Sequence, residues 1–146
     1  MEIVFRKVFI NKNNLIRIIK RAAQKVFEIK NIDNFDISFL VTNNKEIKII
    51  NSYFRGINKP TDVLSFPSTD DFKGDKDCFY GDIAISINKA KSQARTFNQS
   101  LEKELSFLVI HGCLHLLGYN HENEKSEIKM RKEQRKILSF LQEKKY

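Results

Sequence analysis

Cysteine, histidine and uninterrupted apolar sequence are all scarce in this chain of 146 residues. The two cysteines, Cys78 and Cys113, are too few for a disulfide framework in a chain long enough to build a core, so free thiols are expected. No run approaches the roughly 18 consecutive apolar residues that a membrane span requires, which excludes a membrane helix. The opening MEIVFRKVFI carries charge inside its apolar stretch, and no small-residue cleavage site follows, so it reads as a first strand rather than a secretion signal. A cytoplasmic protein is expected. Repeats, low-complexity tracts and linkers are absent too. A chain of this length buries about 70% of its unfolded surface, so a single domain over residues 1–146 is expected.

Acidic residues are outnumbered. Eighteen Asp and Glu face 26 Lys and Arg, a formal charge of +8, distributed as +5 over residues 1–50, +1 over 51–100 and +2 over 101–146. Such an excess favours polyanionic partners, nucleic acid foremost, although solubility explains it equally well on charge alone.

Periodicity gives the elements. Leu15, Ile18, Ile19, Ala22, Ala23 and Val26 fall on one face of a helix over residues 14–29. Phe35, Ile37, Phe39 and Val41 alternate as in a strand. Asn43 and Glu46 frame the start of a short helix bearing Ile47, Ile50 and Phe54. Residues 62–66 suit a short strand ended by Pro67, and 79–87 a fourth strand with Ile83, Ile85 and Ile87 on one side. The polar segment 68–78 between them reads as a solvated hairpin tip, its aspartates lacking calcium-loop spacing. A helix over 88–97 carries Ala90, Ala94 and Phe97. Ser100 caps the next, with Glu102 and Glu104 in its first turn. That helix is apolar all round from Leu105 to Leu117, so it belongs inside the protein, and Gly118 supplies the left-handed residue that ends it. A last helix runs from Glu124 to Gln142 with Met130, Ile137, Leu138 and Leu141 inward. The order βαβαββααα predicts an α+β fold: a small mixed sheet of about four strands covered by about five helices, with the apolar helix central.

All three histidines lie in HGCLHLLGYNH, residues 111–121. Four residues turn a helix by about 400°, so His111 and His115 share one face. If the chain doubles back after Gly118, His121 reaches the same point. Three imidazoles suit zinc or a similar late first-row ion and leave a fourth position open. A lone histidine is ordinarily a hydrogen-bonded core or surface residue. Two on an apolar helix are buried polar groups in need of partners, which coordination supplies. Cys113 points to the other side of the helix and reads as core. In HExxH metalloproteases a glutamate follows the first histidine as general base, but here Gly112 stands at that position. Glu122 and Glu124, in a stretch that reads as a solvated helix start, are poor substitutes.

HGCLHLLGYNH resembles the signature of the YbeY family of bacterial endoribonucleases, and FRGINKPTDVLSFP at 54–67 resembles that family's second hallmark segment, with GDIAIS at 81–86 a further match. The resemblance implies an α+β sandwich, one Zn2+ ion (or Ni2+ or another late first-row ion) held by His111, His115 and His121, and catalytic roles for His111 and Arg55. Beside a metal, the planar guanidinium of Arg55 suits the non-bridging oxygens of a phosphodiester. Thr61 is expected to cap backbone groups, Asp62 to pair with Arg55, and Asp82 to lie near the cleft. The family commonly has Asp before the third histidine, where this chain has Asn120, which cannot shuttle a proton. The expected function is metal-dependent cleavage of single-stranded RNA in 16S ribosomal RNA 3′-end maturation and ribosome quality control. The metal-activated water is the expected nucleophile, leaving no 2′,3′-cyclic phosphate. Expected partners are ribosomal RNA and the small ribosomal subunit, with a small-subunit ribosomal protein and an assembly GTPase as further candidates; no membrane is involved. The alternative is a non-catalytic ribosome-assembly factor whose metal is structural, and a metalloprotease stands third.

Overall fold

The computed structural model describes residues 1–69 and 78–142, so of the expected hairpin tip at 68–78 residues 70–77 lie outside the described residues. The first amphipathic run becomes α1 (Lys12–Ile29), started by Asn11, whose side chain accepts the Asn14 N–H. It follows β1 (Glu2–Phe5) and precedes β2 (Asp36–Thr42). Asn43 caps α2 (Asn44–Arg55) by accepting the Glu46 N–H at 2.9 Å, the arrangement its spacing predicts. Next come β3 (Val63–Pro67), β4 (Phe79–Ser86), α3 (Ile87–Thr96), α4 (Leu101–Leu116) and α5 (Glu124–Gln142).

The strands form one mixed sheet in the order β1-β2-β4-β3. β1 runs parallel to β2 and β2 to β4, while β3 pairs antiparallel with β4 in a register that sets Ser65 opposite Ile83. Period-two alternation sorts the side chains between the two faces. Ile37, Phe39, Val41, Ile83 and Ile85 join the main core with α1, α4 and α5, whereas Leu64 and Ala84 pack with Ile47 of α2 on the other side. α4 is the hub of the helical layer, touching α1, α3, α5 and the β3 and β4 strands. This is the α+β arrangement with a central apolar helix that the element order predicts.

Two local differences have clear causes. Ile87 opens α3 rather than closing β4, because Ser86 turns its hydroxyl to accept the Lys89 N–H at 3.2 Å and to donate to Asn44 Oδ1 at 2.6 Å. Phe97 is the C-cap of α3 and points into solvent, 65% exposed, instead of packing inward. Among the described residues no helix is long and apolar enough to cross a membrane.

Gly81 is where the sheet tolerates no side chain. Its φ is +145°, and a Cβ there would collide with the Phe66 carbonyl oxygen and stand 2.8 Å from Leu116 Cδ2. Gly81→Ala is predicted to cost at least about 2 kcal/mol, because it forces β3 away from β4. Urea unfolding would show this as a lowered midpoint at unchanged slope.

Candidate metal centre

Ser100 starts α4 by accepting the Lys103 N–H at 3.1 Å, and the apolar girth of the helix draws it into the core. Along it, His111 and His115 follow at one-turn spacing. Their rings stand 4.7 Å apart between centroids, with the two Nε2 atoms 3.1 Å from each other. Two ligands bound 2.0–2.1 Å from one tetrahedral ion are about 3.3 Å apart, so this pair is set at coordinating distance.

The helix ends as its sequence predicts. Gly118 takes φ +99°, its N–H donates to the His115 carbonyl at 3.1 Å, and the Tyr119 N–H donates to that of Leu114 at 3.0 Å. The chain then doubles back. His121 arrives stacked on His111 at 5.2 Å and edge-on to His115 at 5.1 Å, and one ring nitrogen of each histidine lies within 4.8 Å of the others. Tyr119 anchors the returning loop: Lys30 Nζ donates to its hydroxyl at 2.7 Å and also binds Glu133 of α5 at 2.7 Å. Asn120 closes the turn by accepting the Glu122 N–H at 3.1 Å rather than contacting an imidazole. Glu122 and Glu124 are exposed, as a solvated helix start requires.

α5 reaches the centre through Gln134, which is only 5% exposed and whose amide is in hydrogen-bond contact with Nδ1 of His111. The tautomer that frees Nε2 for a metal keeps its proton on Nδ1. That proton has an acceptor once the amide turns its oxygen toward the ring. Sequence reading missed this residue, although a glutamine in line with Met130, Ile137 and Leu141 on an otherwise apolar face was a signal.

Electrostatics favour metal over proton. Burial, reinforced by the neighbouring His115 and His121 and opposed by Asp62, lowers the pKa of His111 from 6.5 to about 4. Burial, then His121 and Arg55, lower that of His115 against a backbone hydrogen bond at Tyr119. Both rings are therefore neutral near pH 7, with lone pairs available. Three convergent nitrogen donors, two of them held neutral, fit a metal ion of borderline softness.

The three histidines line a cleft of about 390 Å³ together with Arg55, Thr61, Asp62 and Ser65. Arg55 is the last residue of α2, turned by the left-handed Gly56. Asn51 secures the following segment, its amide donating to the Lys59 carbonyl at 2.9 Å. Arg55 and Asp62 meet in the cleft but form no ion pair among the described residues. The Asp62 carboxylate is taken up by the Val63 N–H at 2.8 Å, by Gln93 at 3.3 Å and by the Thr61 hydroxyl at 3.4 Å. Thr61 thus binds Asp62 instead of capping backbone, and among the described residues the Arg55 guanidinium faces the cleft without a carboxylate partner. Asp82 is elsewhere: it shares the other sheet face with Ala84, in a groove lined by Val4, Phe54 and Phe66.

Gly112 has a steric explanation. A Cβ there would lie 3.0 Å from the Ile83 side chain, so α4 packs closely on β4 at the position where a protease carries its glutamate. Cys113 is fully buried, with burial pushing its thiol far above the ordinary range. Glu104 is not solvated as its place in a first turn suggests. It is buried against Gln99, and burial, with Asp62 nearby, raises its carboxyl pKa.

Comparison with known proteins agrees over most of the chain. The family described as Endoribonuclease YbeY matches residues 3–142. A protein of that name from Thermoanaerobacter sp. (strain X514) is 36% identical over 140 residues, covering 88% of each chain. One from Clostridium botulinum (strain Alaska E43 / Type E3) is 40% identical over 148 residues, covering 88% of this chain and 87% of the relative. The solution structure of TM1509 from Thermotoga maritima superposes with a TM-score of 0.65 at 33% identity, covering 94% of this chain and 87% of that one.

Two outcomes follow from the centre itself. Gln134→Leu is predicted to weaken metal affinity 10- to 100-fold in a chelator-competition titration, with the metal-free fold retained. For chelator-treated protein, the folded state refuses a proton that the unfolded chain accepts at His111. Stability is therefore predicted to fall as pH drops from 6.5 toward about 4, with no contribution from this group above 6.5. Urea melts at a series of pH values, compared with His111→Ala, isolate that slope.

Proposed function

The chain belongs to the endoribonuclease YbeY family, and from that premise we propose that it is a metal-dependent endoribonuclease of single-stranded RNA. The observation that carries the proposal is the shared cleft, in which three imidazoles and a guanidinium with no ion pair among the described residues face the same space. The ion we assign is zinc, or nickel or another late first-row metal, held by His111, His115 and His121. When bound, it supplies Lewis-acid polarisation of a phosphoryl oxygen and a water nucleophile near neutral pH.

The remaining work falls to the chain's own side chains. Arg55 binds the non-bridging oxygens of the scissile phosphate through its planar fork and steadies the charge that grows on them. Gln134 and the Tyr119 anchor hold the ligand rings in place, so little reorganisation accompanies the reaction. Asp62, bound to Val63, Gln93 and Thr61, stays turned away from the guanidinium and leaves it free for phosphate. We assign the activity to small-subunit ribosomal RNA, its 3′-end maturation and the quality control of ribosomes, carried out in the cytosol. The reading of the chain as a single domain that works with the small subunit, one of its proteins and an assembly GTPase belongs to the same proposal.

Arg55→Ala is predicted to lower cleavage of single-stranded RNA by about 10²–10³-fold while leaving bound metal unchanged. His111→Ala is predicted to remain folded and lose both metal and cleavage. A purely structural metal predicts the reverse: the fold collapses on chelation, and RNA is bound but never cut.

A further inference from the structure

α5 has a second face that the metal centre does not use. Its inner side presents Met130, Gln134, Ile137 and Leu141 to the core. Lys125, Lys129, Lys132 and Lys136, spaced by four, three and four residues, are all exposed. At about 100° per residue these four fall within an arc of roughly 60° on the side away from the core, along about 16 Å of helix. Among the described residues of α5 no acidic residue shares that arc.

The acids of α5 that lie on its flanks are largely engaged elsewhere. Glu127 binds Arg131 at 2.7 Å and Glu133 binds Lys30 at 2.7 Å, and among the described residues no ion pair involves any of the four lysines. A stripe kept only for solubility gains nothing from excluding acids, whereas one that meets a polyanion does. The stripe also leads to the catalytic loop. Lys125 and Lys129 line a polar cleft of about 410 Å³ with Gly118, Tyr119 and Asn120, and Lys129 Nζ stands 5.6 Å from the Tyr119 ring. The lysines recur at steps of about 4.5–6 Å, the scale on which phosphates repeat along an extended strand.

We infer that this stripe is an electrostatic track for the backbone of single-stranded RNA, guiding the strand away from the metal centre along the outer face of α5. The inference rests on the proposed nuclease function and adds the surface that binds substrate outside the cleft. It needs no base contacts, so it confers affinity without sequence preference.

The test uses zinc-loaded full-length protein and a fluorescent single-stranded RNA of about 12 nucleotides, with anisotropy read over a salt series. Lys132→Gln/Lys136→Gln, on the side of α5 opposite Gln134, is expected to weaken binding on the order of tenfold at low salt. It should flatten the slope of log affinity against log salt by about 1.4, corresponding to 0.7 per lost phosphate contact. Its KM should rise with kcat unchanged, and Lys132→Arg/Lys136→Arg should restore the slope. Lys45→Gln/Lys48→Gln removes equal charge from α2, across the sheet, and is expected to leave the slope alone. Equal effects from both glutamine pairs would reduce the stripe to net charge and overturn the inference, as would no effect from the α5 pair. Tighter binding of the wild type to phosphatidylserine vesicles than to RNA would reassign the stripe to a membrane surface. If wild type cleaves RNA but the α5 pair changes nothing, only the track fails; if wild type neither binds nor cleaves, the nuclease reading fails with it.

Discussion

The structure depends on one close contact, between α4 and β4 at Gly112 and Ile83. An apolar helix can be pressed onto a sheet with no side chain between them only where a glycine removes the Cβ, and here the Ile83 side chain fills that space. With that face of α4 sealed, its neighbouring face meets β3 and presents His111 and His115 to the cleft. The same contact would set any side chain at the position of a metalloprotease's glutamate tight against Ile83.

Half-burying two imidazoles is costly unless their nitrogens find partners, and the surroundings provide for both ends of His111. Gln134 meets Nδ1 from α5, while Nε2 is turned toward His115. The depressed pKa of His111 expresses the same fact in terms of protons: burial and two neighbouring imidazoles make a proton unwelcome. A divalent ion resolves what the proton cannot, since one charge centre satisfies three lone pairs together. In the same cleft the Arg55 guanidinium, which forms no ion pair among the described residues, suits the site to an anionic ligand.

Much of this was legible in the residues. Period 3.6 against period 2 separated helices from strands, because burial on one side leaves that imprint whatever the tertiary partners. The one-turn spacing of His111 and His115 and the glycine stop at 118 foretold the cluster of three histidines, since both depend on local geometry alone. The sheet order β1-β2-β4-β3 was not legible, because pairing partners are chosen by non-local packing. Nor was the role of Gln134, 23 residues from the histidine it touches. The expected pair between Arg55 and Asp62 failed for a physical reason: backbone and Gln93 donors next to the carboxylate satisfied it first. Asp82 was misplaced because strand alternation, which sends it with Ala84 to the far face, carries no mark of which face meets the three histidines.

Convergence of three imidazoles on a single centre is the claim from which the chemistry follows. X-ray absorption on zinc-reconstituted protein reads it directly. The account predicts one ion per chain with three imidazole nitrogens at about 2.0–2.1 Å and one further light donor. A shell with two imidazoles or fewer, or with sulfur at about 2.3 Å, would contradict it.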